Sequence, residues 1–368
     1  MYIFIVGIVD GFNNKGDFTM GGTIKKYFGG SLVFTIASMI VGGIYGYSIG
    51  GISSSLTTIF LIMVLGVLET SLSFDNAVVN AKILVTMSDV WKHRFLTWGM
   101  IIAVFGMRIV FPLLIVSLFS HINIIDALKL GLFDQEKYAE TLKQSHIMVA
   151  GFGGAFLLLV GVSYFFDAEK ENHWIKGIEP LLSNAGNIKS IEIITTLITL
   201  IAVNFTIVPA HERLSFIISA LAGIILHEVI VGISDALESH EAKQVTNVAI
   251  KGGVMSFIYL EIMDSSFSFD GVIGALAITN NFIIIALGLG IGAMFVRSLT
   301  ILLVDKGTMS EYIYLEHGAF WSIIVLSGIM FASISYEVPE IVTGLLSVGF
   351  IGSAIVSSIN HNKKAKVS

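Results

Sequence analysis

The chain has no cysteine among its 368 residues. Disulfides, iron–sulfur clusters and thiolate metal sites are therefore excluded. Charge is scarce too: 13% of the residues are Asp, Glu, Lys or Arg, against roughly a quarter in soluble domains. That scarcity excludes a disordered chain, a nucleic-acid-binding protein and a typical cytosolic enzyme. Only four prolines occur, which suits long helices. There is no Walker-type phosphate loop, so ATP coupling within this chain is not expected. His227-Glu228 lacks the second histidine of a zinc-protease motif. No nucleophile stands beside a base, so neither enzyme activity nor a resident cofactor is expected.

What is present is apolar. Hydrophobic residues make up 55% of the chain, 37 residues are glycine, and mean hydropathy is +0.86. The fold class is all-α, a polytopic membrane helix bundle whose glycines permit close helix packing in lipid. Ten candidate spans can be drawn: 31–50, 55–80, 96–120, 146–166, 193–210, 214–233, 252–278, 282–304, 319–335 and 341–359. The count is about ten, within eight to ten, because 193–210 and 319–335 are short. With ten spans, Lys129, Lys137, Lys143 and Arg213 fall on one side, Arg108 and Arg297 lie within spans, and the other fifteen of the 21 basic residues share the opposite side. The positive-inside rule then puts both termini in the cytoplasm of a bacterial-type inner membrane. The organisation reads as a cytoplasmic segment 1–30, a first repeat 31–210, a second repeat 211–359 and a basic tail 360–368. The polar connection 121–145 reads as a solvated loop helix, and His146 and His317 as interfacial.

The repeat is in the motifs. Residues 69–76 read Glu-Thr-Ser-Leu-Ser-Phe-Asp-Asn, and residues 264–271 read Asp-Ser-Ser-Phe-Ser-Phe-Asp-Gly. Each copy is followed one span later by an arginine, Arg108 or Arg297. Gly154-Ala155-Phe156 and Gly318-Ala319-Phe320 also correspond. An offset of five spans makes the halves antiparallel, the inverted-repeat plan of many secondary transporters. Glu69, Ser73, Asn76 and Asn80 share one helix face, and Asp264, Ser268 and Gly271 repeat it. Asp75 and Asp270 lie about 120° away. Either protein covers both faces of these helices, or the helices break near the Ser-x-Ser-Phe segment.

Eight ionisable residues fall within spans: Glu69, Asp75, Arg108, Glu228, Glu261, Asp264, Asp270 and Arg297. Taken separately they would cost roughly 20 kcal/mol or more, so they must share partners. Six acids against two arginines leave room for bound cations or protons. The candidate ligands are hard oxygens, which suit Mn²⁺, Mg²⁺ or Ca²⁺ over copper or zinc. Ser73, Ser268, Arg108, Arg297, Glu261 and Glu228 are candidates for supporting or gating roles.

At these residues the chain resembles the TerC family of integral membrane proteins, within the LysE-like transporter group. The carriers are Leu68-Glu69-Thr70-Ser71-Leu72-Ser73-Phe74-Asp75-Asn76-Ala77, Met263-Asp264-Ser265-Ser266-Phe267-Ser268-Phe269-Asp270-Gly271, the continuation Ala277-Ile278-Thr279-Asn280-Asn281-Phe282-Ile283, and Leu315-Glu316-His317-Gly318-Ala319. The family usually has Ser where this chain has Gly271, and tends to have fewer spans. The resemblance implies export of divalent metal, chiefly Mn²⁺, with links to tellurite resistance in some members. It implies metal-ligand roles for Glu69, Asp75, Asn76, Asp264 and Asp270. The expected partners are metal cations and the lipid bilayer; homo-oligomerisation is left open. The alternatives are a non-transporting scaffold or sensor in metal or tellurite stress, and, further off, an intramembrane enzyme.

Overall fold

The computed structural model describes residues 22, 24–99, 101–119, 121–241, 248–336 and 338–365, and no strand occurs among them. A π-type turn, Ile24–Phe28, opens into α1 (Gly29–Leu72), then α2 (Phe74–Thr86) and a short α3 (Asp89–Arg94). Two wide π-type stretches, Phe95–Gly99 and Ile102–Val110, lead to α4 (Phe111–Phe119). There follow α5 (Ile124–Phe133), α6 (Gln135–Phe165), α7 (Glu179–Ala185), α8 (Ile191–Thr206), α9 (Arg213–Glu241) and α10 (Val248–Ile278). The chain closes with α11 (Phe282–Asp305), α12 (Thr308–Glu311), α13 (Leu315–Ala332) and α14 (Glu340–Ala365). Among the described residues, six helical stretches are long and apolar enough to cross a membrane: Ile24–Leu72, Gln135–Phe165, Arg213–Ile233, Phe282–Asp305, Leu315–Ala332 and Val342–Lys363. The pair Asp89–Gly99 and Ile102–Leu118, which meet at 42°, would make a seventh. The protein is thus an all-helical membrane bundle.

The first of these stretches is not one rod. A straight helix the length of α1 would run about 66 Å, roughly twice the hydrocarbon core. Ser55 Oγ donates to Gly43 O at 2.8 Å, although twelve residues would separate them by about 18 Å along a straight helix. The chain reverses at Gly50 and Gly51, where helical geometry is lost and Gly51 has φ +70° and ψ −154°. Only glycine adopts that backbone without strain. The two arms, 29–50 and 51–72, touch where glycine leaves no side chain: a methyl on Gly46 would lie 2.8 Å from Ser54 O. The arms overlap the candidate spans 31–50 and 55–80, although the second candidate runs on past its arm into α2. Val33, Ile44 and Ile52 point away from all protein, 69%, 66% and 71% exposed, as suits a face turned to lipid.

Other boundaries move. The connection 121–145 is helical, as α5 and the first turns of α6, but one of its faces is covered by protein: Tyr138, Leu142 and Ser145 are buried and the Tyr138 ring meets Phe282 edge-on at 5.4 Å. Within segment 1–30, Tyr27 and Phe28 are buried just before α1; residues 1–21 and 23 lie outside the described residues. Candidate span 193–210 becomes α8, 16 residues long, about 24 Å. Candidate 55–80 divides at Ser73, between α1 and α2. Asn281, in the stretch that resembles a family motif, is the N-cap of α11: its side chain accepts from the Ile283 and Ile284 N–H groups, both at 3.1 Å.

Packing sets the centre. α11 lies against both arms' protein side, α2 and the Ile102–Val110 stretch; α6 packs on α9, α10 and α13; α13 packs on α2 and α14. In the best apolar window of α11, 72% of residues are buried, against 22% in that of Ile24–Leu72. The hairpin is peripheral and α11 is central, which places α11 beside both motif helices.

Candidate functional site

The polar face anticipated from spacing exists, and a hinge divides it. Ser73 sits between α1 and α2 with φ −96° and ψ 21°. Its N–H still reaches Glu69 O at 3.0 Å, while Ala77 N–H reaches Ser73 O at a longer 3.3 Å. Glu69, Ser73, Asn76 and Asn80 are all buried. Ser73 Oγ donates to Glu69 Oε1 at 3.2 Å, and Asn76 Nδ2 donates to Asp264 Oδ1 at 2.5 Å.

Arg108 comes from the wide turns of Ile102–Val110 and joins the two motif copies. Its Nη2 meets Glu69 Oε1 at 2.5 Å and its Nη1 meets Asp264 Oδ2 at 3.3 Å. The same Nη1 donates to Ala103 O at 2.9 Å. Ser268 Oγ donates to Met107 O at 3.3 Å, fastening α10 to the arginine's own segment. Two buried carboxylates from opposite halves of the chain thus share one guanidinium. Glycine makes the room: a methyl on Gly292 would lie 2.3 Å from Glu69 Cγ, and one on Gly271 would lie 2.5 Å from Glu69 Oε2. That contact is a physical reason for glycine at position 271.

Asp75 goes elsewhere. It is fully buried on the other face of α2, where Ser322 Oγ of α13 and Ser347 Oγ of α14 donate to its Oδ2 at 2.8 and 3.3 Å. Both structural readings of the motif therefore hold for the first copy: the helix breaks, and protein covers two of its faces. In the second copy the backbone of α10 stays helical throughout. The side chain of Asp270 lies outside the described residues. Among the described residues, no group of three or more His, Cys, Asp or Glu is arranged to hold a metal ion. Of the repeated acids whose side chains are described, Glu69 and Asp264 come together with Arg108 between them, and Asp75 stands apart.

Glu261 and Arg297 form a looser neighbourhood. Both are buried, yet both Glu261 oxygens and the Arg297 Nε and Nη2 atoms lack hydrogen-bond partners. A methyl on Gly99 would lie 2.5 Å from Glu261 Oε1 and equally from Arg297 Nη2, so those atoms are within twice that distance of each other. The Arg297 guanidinium lies over the Phe95 ring at 3.7 Å. Glu228 is remote from this centre: it pairs with His227 at 3.1 Å and its side chain is 42% exposed.

A further cluster escaped the sequence reading. His317, in the first turn of α13, is buried in protein. Its Nδ1 lies 2.7 Å from Oε2 of the buried Glu179, which also accepts from Trp174 N–H at 2.7 Å. Trp321 Nε1 donates to Glu179 Oε1 at 2.9 Å. Burial alone would raise this carboxyl, but the hydrogen bonds from His317 and Trp321 outweigh it and hold Glu179 down at about 2. Beside it Lys170 Nζ sits 3.4 Å above the Tyr164 ring, and burial pulls that ammonium down to about 7. The segment from 167 to α7 thus clamps the start of α13, one residue before the Ser322 that holds Asp75. An acid next to Pro180 was the one available signal, and hydropathy gives it no weight.

Residues 74–365 match the family model described as "Protein of unknown function (DUF475)". The match spans most of the chain, and the chain belongs to that family. No curated protein matches it, and no solved structure matches it.

Proposed function

We propose that this DUF475 member is a secondary membrane transporter that exports divalent cations, with Mn²⁺ as the leading cargo and Ca²⁺ or Mg²⁺ as alternatives. The observation that carries this reading is the meeting of Glu69 and Asp264, equivalent acids of the two motif copies, on one buried cation. In this reading Arg108 is the internal counter-ion. A divalent cation entering from either side competes with it for both carboxylates, with Asn76 and Ser73 as neutral oxygen donors beside them. Removing the arginine without a replacement would isolate two buried charges, at about 3–5 kcal/mol, so arginine and cargo exchange places instead of leaving the site empty.

Packing supports two inverted five-helix halves. The first motif's α2 lies on α13, and the second motif's α10 lies on α6. Those two partners carry the corresponding fragments Gly154-Ala155-Phe156 and Gly318-Ala319-Phe320. Each half's motif helix thus rests on the other half's equivalent helix, the crossing expected of a two-fold relation within the membrane. Counting the hairpin arms separately and α8 as a short pass keeps about ten crossings. The basic-residue bias then puts both termini in the cytoplasm. Exchange with protons or sodium supplies the driving force. The TerC likeness favours Mn²⁺ and rests on the motif residues alone.

One observation favours a second reading, a non-transporting scaffold in metal or tellurite stress: Arg108 already satisfies both carboxylates. Thermal unfolding of the purified protein separates the two. A cation at a hundred times its dissociation constant stabilises by about 2.7 kcal/mol. Mn²⁺ is expected to raise the midpoint of the wild type and not of Glu69→Gln or Asp264→Asn. No shift with Mn²⁺, Ca²⁺ or Mg²⁺ would discard the transport reading. Binding without flux into proteoliposomes would favour a sensor.

A further inference from the structure

Two cavities lie end to end along the seam between α2 and α11. The deeper one, about 10 Å³, is lined by Asn80, Arg108, Asp264, Arg297 and Thr300. It has space for about one water at most. The outer one, about 230 Å³, is lined by Leu84, Asp89, Lys92, Thr300 and Asp305. Thr300 lines both, so it is the partition between them. Asn80 and Leu84 are one turn apart on α2, and Thr300 and Val304 one turn apart on α11, so the seam advances by a helical turn from one cavity to the other.

The inner wall carries unused acceptors. Asn80 is 3% exposed, and its Oδ1 has no hydrogen-bond partner. One turn deeper, Asn76 is fully buried. Its Oδ1 is equally unpartnered, while its Nδ2 holds Asp264. Two amide oxygens without partners thus stand one turn apart on α2, Asn80 on the cavity wall and Asn76 beyond it, beside the carboxylate shared with Arg108. Thr300 Oγ1 donates back to Val296 O at 3.0 Å, leaving the oxygen itself able to accept. At the mouth, Asp305 pairs with Lys26 at 3.0 Å and Asp89 with Lys92 at 3.7 Å. Both bridges are exposed and weak in water, so their carboxylates can exchange partners. Arg297 borders the inner cavity, with Phe95 beneath its guanidinium and the unpartnered Glu261 carboxylate near its Nη2. That carboxylate offsets the repulsion an arriving cation would meet.

We propose that this seam is the route by which a divalent cation reaches Asp264 from the side bearing Asp89 and Asp305, with Thr300 as the constriction and the Asn80 and Asn76 amide oxygens as successive contacts. The proposal rests on the transport reading and adds to it a path and a side. At the constriction the ion sheds most of its water, and the amide oxygens replace it as hard ligands.

The absence of cysteine makes the wild-type chain its own background for the test. Single variants Asp89→Cys, Thr300→Cys, Asn80→Cys and the lipid-facing control Ile44→Cys are exposed in oriented vesicles to a membrane-impermeant cationic thiol reagent. Asp89→Cys and Thr300→Cys are expected to react from the same side, and Ile44→Cys from neither. Mn²⁺ is expected to slow Thr300→Cys severalfold and to leave Asp89→Cys unchanged. A Thr300→Cys protein that elutes as a single species and reacts only after denaturation overturns the route, as does reaction only from the opposite side. Should Thr300→Cys misfold, Asn80→Cys gives the same readout one turn deeper. The two failures are distinguishable. Unreactive seam positions in a protein still stabilised by Mn²⁺ overturn the path alone. Reaction that no divalent cation slows, in a protein that none stabilises, overturns the cargo.

Discussion

Arg108 divides its guanidinium between the two halves of the chain, so its loss should be felt by both. Arg108→Leu leaves Glu69 and Asp264 buried without their cation. It is expected to destabilise the protein by about 3–5 kcal/mol, measured as the thermal unfolding midpoint in detergent. The triple variant Arg108→Leu, Glu69→Gln, Asp264→Asn should recover much of that loss, because no uncompensated charge remains. A triple variant as unstable as the single one would mean that the arginine acts through packing. Gly292 gives a second measure: with a methyl set 2.3 Å from Glu69 Cγ, Gly292→Ala should cost about 1–3 kcal/mol. Gly328 has nothing within 4 Å of the same methyl, and Gly328→Ala should be neutral or slightly stabilising in the helix. Helical spacing made the Glu69–Ser73–Asn76–Asn80 face legible and separated Asp75 from it. The partners were not legible. Ser322 and Ser347 reach Asp75 from 247 and 272 residues away, and no local pattern marks one membrane serine above another.

Among the elements, the clamp on α13 carries a pH dependence. Glu179 sits at about 2 in the folded protein against an ordinary 4.5. A carboxyl held low contributes stability above its unfolded value, and the contribution is lost as pH falls from about 4.5 toward 2. Glu179→Gln should therefore lower stability at neutral pH, by on the order of 2 kcal/mol, and flatten the acid limb of the midpoint-against-pH curve. An unchanged acid limb would assign that limb to other carboxyls. The hairpin and the misplaced start of α6 show why element boundaries were only partly legible. Hydropathy averaged over a span recognises two apolar arms and a polar connection between spans. It does not register that Tyr138 and Leu142 turn one face of that connection onto Phe282, because the opposite face stays polar. The extra turns come from tertiary packing, not from composition.

For the whole molecule, the low charge was enough to indicate a helical membrane bundle, since residues facing lipid cannot be polar in number. The count of passes was less legible, because α8 sits at the limit of length and the α1–α2 unit is far longer than one pass and broken twice. The orientation has a direct test. Reporter fusions after residue 365 and within 168–178 should report the cytoplasm, and fusions within 121–123 and 207–212 the opposite side. A reporter exported at the carboxyl end would reverse the assignment.

The short α8 has a consequence for the membrane itself. Ile194, Ile198, Ile201 and Phe205 point outward along it, 44–64% exposed, so its outer face is built to meet acyl chains. Yet at about 24 Å it falls several ångströms short of a typical hydrocarbon core of roughly 30 Å. If α8 crosses, the lipid on that flank must thin to meet it, at fractions of a kcal/mol per ångström. The bilayer around this protein would then be lopsided, dimpled beside α8 and of full thickness beside the long hairpin. Such a dimple costs less when two are merged, so the flank of α8 is where neighbouring molecules would gather without any contact built for the purpose.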